Sequence, residues 1–156
     1  MPEGSYNVDD HEFGHGADRA LGAIAGSPGG LLSNSPGFLA AVAADTQALA
    51  GWSSVGYFTP QGNPSGYVSE AFAESFAKYY GNVNSSSADE AGDPNFGDGG
   101  PQNAPHLFAF MQSLDQATQA ASSSSNPNQA FKQSVQPLLF PQNRSSTTAG
   151  NVTYFE

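Results

Sequence analysis

Residues 67–80 read YVSEAFAESFAKYY, and this stretch shows the clearest helical pattern in the chain. The pattern predicts a helix from about Ser65 or Ser69 to Tyr80, with Gly81 at its C-terminal end. Aromatic side chains recur at the i, i+4 and i+7 or i+8 positions that share one face of a helix, and these are Phe72, Phe76 and Tyr79 or Tyr80. This face is therefore predicted to lie in a hydrophobic core.

The sequence on either side of this stretch predicts further helices and no convincing strand. Helical patterns cover Val8–Ala25, residues 36–51 with Ser35 as the N-cap, a segment that begins at Pro105, and a short stretch near residues 129–140. The predicted fold class is therefore mainly α.

The chain is long enough for one ordinary domain, since it has 156 residues. We predict that residues 1–121 form this domain and that residues 122–156 are a polar, low-complexity C-terminal segment that contains the short helix near 129–140. Residues 82–104 are rich in Asn, Ser, Asp and Gly, which predicts a long surface loop.

Composition excludes several classes of function. Four Lys and Arg stand against 14 Asp and Glu, so the formal net charge of −10 repels nucleic acid and anionic membrane surfaces. No apolar run approaches the roughly 18 residues that a membrane span needs. The chain has no cysteine, so any metal ligands must be histidines and carboxylates.

The strongest chemical signal is an HExxH motif, His11-Glu12-Phe13-Gly14-His15, on the first predicted helix. Residues four apart share one helical face, so both imidazoles can bind one Zn²⁺ while Glu12 accepts a proton from a metal-bound water. The alternative is a surface helix that carries two histidines by chance. The metal interpretation is favoured because two of only three histidines have this spacing.

A zinc peptidase needs a third protein ligand. The metzincin pattern is excluded, because Asp18 and Leu21 stand where it requires glycine and histidine. Glu70 and Glu74 lie one turn apart on the helix over residues 67–80, opposite its aromatic face. One of them can bind the metal while the other hydrogen-bonds a ligand imidazole, although such a pair taken alone is more often a solvated face.

Three segments, HEFGHGAD, SEAFAESFAKYY and NAPHLFAFMQSLD, together resemble the anthrax lethal factor-like (ATLF-like) zinc metallopeptidases over about residues 8–118. This family is a gluzincin branch, so the resemblance implies a zincin-like helical metallopeptidase core. It implies that His11, His15 and Glu70 bind Zn²⁺ and that Glu12 is the catalytic base. Glu74 is then left to hydrogen-bond a ligand imidazole.

The resemblance also bears on where the protein acts. Family members are usually secreted toxins or act on extracellular proteins, which implies a toxin-like, secreted or extracellular protease. The first ten residues, MPEGSYNVDD, lack the basic and apolar regions of a signal peptide. Zincins of this type place a sheet before the HExxH helix, and with ten residues before His11 this sheet is predicted to be short or missing.

One position differs from the family in a way that concerns catalysis. The family has a tyrosine seven residues before the glutamate ligand, and here that position is Asn63. Tyr67 and Tyr57 are the nearby candidates for the donor that stabilises the oxyanion. Tyr67 is preferred, because it precedes Glu70 by one helical turn, whereas Tyr57 lies in a turn-rich segment.

The sequence therefore predicts a zinc-dependent endopeptidase that hydrolyses peptide bonds of a protein or peptide substrate, with a preference for basic substrates because of the chain's negative charge. The alternatives are a non-catalytic, metal-stabilised interaction or structural protein, and a zinc hydrolase of a non-peptide amide. Retention of Glu12 favours an enzyme, since a purely structural site does not need it.

Four further residues are given structural interpretations. Asp18 is predicted to be a helix-surface carboxylate near Arg19, and His106 a surface or capping residue. Trp52 and Phe58 are predicted to belong to the core.

Overall fold

The computed structural model describes residues 8–53, 55–80 and 104–141. Helical segments make up 76% of these residues, and no strand occurs among them, so the mainly α prediction is confirmed. Two 3₁₀ turns, Pro28–Gly30 and Leu32–Asn34, follow the first helix. The α-helices are α1 (Val8–Ala25), α2 (Pro36–Ala44), α3 (Thr46–Gly51), α4 (Tyr67–Tyr80), α5 (Pro105–Ser122) and α6 (Pro127–Leu139). The loop predicted over residues 82–104 lies outside the described residues except for Ala104.

Most of the predicted helix ends agree with the structure. Helix α1 has the predicted bounds, α5 begins at Pro105, and the Ser35 side chain caps α2 by accepting a hydrogen bond from Phe38 N at 3.3 Å. The single helix predicted over residues 36–51 is wrong at Asp45, where the backbone leaves the helical region. Asp45 instead accepts hydrogen bonds from Leu107 N and His106 Nδ1, both at 2.8 Å, and so caps the first turn of α5.

The core is aromatic at its centre. The Phe38 ring lies 5.2 Å from the Phe72 ring and 5.1 Å from the Phe110 ring, so α2, α4 and α5 meet there. Phe131 and Val135 of α6 are buried in the same core. The described part of the C-terminal segment thus packs on the rest of the chain, while the division at residue 121 stays a prediction.

The packing of α1 against α4 creates the setting for the predicted site. A Cβ added at Gly14 would lie 2.8 Å from Ala73 Cα and 3.1 Å from Phe76 Cβ, closer than atoms can approach without a shift. Only glycine allows this contact between the two helices. The contact brings the histidine face of α1 against the glutamate face of α4.

None of the described helices combines the length and the apolar composition needed to cross a bilayer.

Candidate metal centre

The HExxH helix and the glutamate helix bring three predicted ligands together. One potential ligand atom each from His11, His15 and Glu70 lies within 4.8 Å of the other two. Both imidazoles present Nε2 to one carboxylate oxygen, since Glu70 Oε2 lies 3.0 Å from His11 Nε2 and 3.4 Å from His15 Nε2. The two histidine rings stand nearly perpendicular, with centroids 5.0 Å apart. The two histidines therefore form one cluster with a glutamate that lies 55 or more positions further along the chain.

His11 is the enclosed member of this cluster, with a relative exposure of 1%. Its Nδ1 forms a 3.0 Å hydrogen bond with Oε2 of Glu74, which is fully buried. Burial by itself lowers the pKa of His11, but the hydrogen bonds and negative charges of Glu74 and Glu70 outweigh it and leave the pKa raised. Glu74 thus fixes the orientation of the ring and leaves Nε2 facing Glu70, as the sequence predicts for the carboxylate that does not bind the metal.

Glu74 is itself held by a buried cation. Lys78 Nζ lies 4.0 Å from Glu74 Oε1 and 5.0 Å from the centroid of the Trp52 ring. This i, i+4 pair could have been read from the sequence as a helical ion pair, but its burial could not. The lysine provides positive charge for a carboxylate that has no access to solvent.

His15 and Glu70 form the open side of the cluster, with side-chain exposures of 25% and 18%. Ser69 Oγ lies 3.2 Å from His15 Nδ1, so His15, like His11, has its Nδ1 held and its Nε2 facing Glu70. Ser69 was not among the predicted site residues, because no spacing rule distinguishes it from other helical serines.

A polar cavity of about 560 Å³ opens from this side, and Glu12 lies in its wall. Glu12 is exposed, and it also borders an apolar cavity of about 830 Å³ between α1, α4 and α5. The predicted base therefore stands between the ligand cluster and two spaces that can hold another molecule. The polar cavity is lined by Glu12, His15, Gly16, Arg19, Gly66, Ser69 and Glu70.

The two candidate tyrosines lie in different surroundings. Tyr57 follows a tight turn at Gly56, where φ is +69° and the carbonyl accepts hydrogen bonds from Thr59 N at 2.9 Å and Thr59 Oγ1 at 2.7 Å. The pKa of Tyr57 is raised by burial and by the negative charge of the nearby Glu70 carboxylate. Tyr67 instead borders a different cavity, beside Phe58. Neither tyrosine lines the polar cavity, so the preference for Tyr67 over Tyr57 stays a prediction.

Asp18 differs from its prediction. It is buried rather than exposed at the helix surface, and it accepts hydrogen bonds from Ser33 N at 2.8 Å and Ser33 Oγ at 2.6 Å. Burial raises the pKa of Asp18, although the Ser33 hydrogen bonds act in the opposite direction. The other three structural interpretations are confirmed, because His106 is an exposed capping partner while Trp52 and Phe58 are buried.

The donor set fits a zinc ion. Zinc sites with catalytic function use three protein ligands from histidine and carboxylate, and a hydrogen bond at the other imidazole nitrogen commonly orients each histidine. Here the Nδ1 atoms of both histidines are held by Glu74 and Ser69, which leaves the Nε2 atoms for a metal. These residues form the one such group of histidines and carboxylates within the described part of the chain.

Comparison of the chain with protein-family models, curated proteins and solved structures found no match. What the protein does has to be inferred from the site, because a helical fold alone does not define a function.

Proposed function

We propose that the chain is a zinc-dependent endopeptidase with a gluzincin-type site in a zincin-like helical core. The observation that carries this proposal is the convergence of His11, His15 and Glu70 beside an exposed glutamate, Glu12, in the wall of one cavity. A zinc ion held by the three ligands would activate a water molecule and polarise the scissile carbonyl.

Glu12 is the proton carrier of the proposed reaction. Its carboxylate accepts a proton from the attacking water and then passes it to the nitrogen of the leaving amine. Its place in the cavity wall gives it access to both water and substrate, whereas Glu74 is fully buried and is left to orient His11.

Tyr57 is the proposed donor to the carbonyl oxygen on which negative charge develops. The negative charges of Glu70 and Glu12 both act on Tyr57, which supports a place for its phenol near the ligand cluster. A tyrosine phenol keeps its proton at neutral pH, so it can donate a hydrogen bond to that oxygen.

The apolar cavity beside Glu12 favours a peptide substrate. Phe13 and Phe76 stand in its wall with ring centroids 6.2 Å apart, and the cavity has the size of an ordinary ligand site. A peptide that places a carbonyl near Glu12 can place an apolar side chain here, which favours a peptide over a small non-peptide amide.

The second candidate is a non-catalytic protein in which the metal only stabilises the fold. It has support from the same ligands, because they join α1 to α4 and would tie these helices together through an ion. The exposed Glu12 favours the enzyme, since a structural metal site has no need of a carboxylate in an open cavity.

The deciding experiment combines metal analysis with a digest of broad peptide libraries by the full chain. We expect one zinc per chain, lost in Glu70→Ala, and peptide cleavage that falls by about 10²- to 10⁴-fold in Glu12→Gln while zinc content is kept. Asp10→Asn is the control, because it removes the same charge from the same helix. If the original protein and Glu12→Gln are equally inert while both bind zinc, the non-catalytic protein is the better interpretation.

A further inference from the structure

The polar cavity contains one cation, and the proposed reaction does not use it. Arg19 lies on α1 one turn after His15, is exposed, and lines the cavity together with Glu12 and Glu70. The other charged residues of the cavity wall are acidic. In the described part of the chain, no carboxylate forms an ion pair with Arg19.

The position of this arginine is unusual for the chain. Only four Lys and Arg occur among 156 residues. Lys78 is buried beside Glu74, and Lys132 lies near Gly26, away from this cavity. A protein with so few cations thus has one of them at the open side of its ligand cluster.

Gly16 gives a second, independent indication that this space is kept for a ligand. A glycine inside a helix is less favourable than alanine, and Gly14 and Gly22 are each explained by a close backbone approach. A Cβ added at Gly16 would meet no heavy atom within 4 Å, so packing does not require a glycine there. Gly16 lines the cavity together with His15 and Arg19, and because it has no side chain the space beside it stays open.

We infer that Arg19 binds a carboxylate of the substrate, and this rests on the proposed peptidase function. The guanidinium presents a planar fork of N–H donors that matches the two oxygens of a carboxylate. The carboxylate is either the side chain of Asp or Glu or the C-terminal group of the peptide.

Helix geometry limits where the carboxylate lies along the substrate. Four residues advance about 6 Å along an α-helix, and an extended peptide advances about 3.3 Å per residue. With the length of the side chains added, the carboxylate bound by Arg19 is expected within a few residues of the bond that is cleaved. Because a net charge of −10 repels anions at long range, recognition depends on direct contact with Arg19 rather than on electrostatic steering.

The test measures peptide binding separately from cleavage. The protein is the full, zinc-supplied chain with Glu12→Gln, alone and combined with Arg19→Gln, Arg19→Lys or Lys132→Gln. The probes are acetylated, amidated pentapeptides of Ala and Phe with one Glu or one Gln at each position in turn, and a Gln peptide with a free C-terminal carboxylate. Dissociation constants come from calorimetric titration.

We expect a Glu peptide or the free-acid peptide to bind about tenfold more tightly than its neutral counterpart. Arg19→Gln should abolish this preference, and Arg19→Lys should keep only part of it, because lysine has the charge without the fork. Lys132→Gln removes the same charge from an exposed site outside the cavity and should leave the preference for the charged peptide unchanged. The peptide that shows the preference identifies the carboxylate as a side chain or a C-terminal group.

Equal binding of charged and neutral peptides, no measurable binding of any of them, or a preference that survives Arg19→Gln overturns the inference. A parallel digest by the protein with Glu12 intact distinguishes it from the proposed function. An Arg19-dependent preference without any cleavage leaves the carboxylate site standing and removes the peptidase. Cleavage without the preference leaves the peptidase standing and removes the carboxylate site.

Discussion

Substitution of Glu74 should separate the two ways in which this buried carboxylate acts on His11. Glu74 Oε2 accepts a hydrogen bond from Nδ1 of His11 at 3.0 Å, and it also places a negative charge beside the ring. Glu74→Gln keeps an oxygen that can accept the hydrogen bond but removes the charge. Glu74→Ala removes both and leaves a space in the interior.

The two substitutions should lower zinc affinity to different extents. Loss of a residue that orients a metal-bound histidine typically lowers metal affinity by about 10- to 100-fold. We expect Glu74→Gln near the lower value and Glu74→Ala near the upper one. When zinc is well above its dissociation constant, each tenfold loss of affinity removes about 1.4 kcal/mol of the stabilisation by zinc. Without zinc, Glu74→Ala should still lower the free energy of unfolding by about 3 kcal/mol, because it removes the carboxylate beside the buried Lys78 and opens a cavity.

The assay is zinc titration against a competing chelator, with denaturant unfolding in the presence and absence of zinc. Asp115→Asn is the matched control, since it removes a carboxylate that accepts hydrogen bonds from Tyr80 and Gln119 but does not contact His11. Zinc affinity that is unchanged in both Glu74 variants would refute the idea that Glu74 orients this ligand.

Three further predictions concern packing, pH and salt. Gly14→Ala should destabilise the protein by about 1–3 kcal/mol, because the added Cβ meets Ala73. Gly16→Ala should stabilise it by up to about 1 kcal/mol, because the added Cβ meets no atom within 4 Å. Equal denaturation midpoints of the two variants would contradict this prediction. Since the pKa of Asp18 is raised, the folded state binds its proton more readily than the unfolded state, and its contribution to the free energy of unfolding should fall as pH rises above about 4. Asp18→Asn should remove that part of the pH dependence, and parallel pH profiles of the two proteins would refute it. If the peptidase proposal holds, the net charge of −10 should make kcat/KM for Lys-rich peptides decrease with ionic strength, and a flat profile would exclude steering.

Local patterns in the sequence were sufficient for most of the helices and for part of the site. The bounds of α1 and the cap at Ser35 follow from residues a few positions apart, and these agree with the structure. The proximity of His11 to Glu70 was predicted from two helical spacings together with the family resemblance. Spacing rules work here because the site is built from two regular helices.

The features that sequence reasoning missed depend on contacts between distant residues. Asp45 interrupts a helical pattern and accepts a hydrogen bond from Leu107 N, 62 positions further along the chain. Asp18 is buried and accepts a hydrogen bond from Ser33 N in the turn after α1. Tyr57, which the sequence offered only as the second choice, follows an irregular turn at Gly56 that has no periodicity, and the charge of Glu70 acts on it. In each case a polar side chain takes its place from a partner that no local window contains.

The contact of Gly14 with Ala73 has a consequence for how an ion would enter. Since the backbones of α1 and α4 approach closely there, packing by itself sets the distance between the two helices. Small zinc modules, by contrast, have no fold until the ion assembles it. Zinc would here bind between helices that are already packed. Its removal by a chelator should therefore lower the free energy of unfolding but leave the helices in place, and metal exchange should not require unfolding.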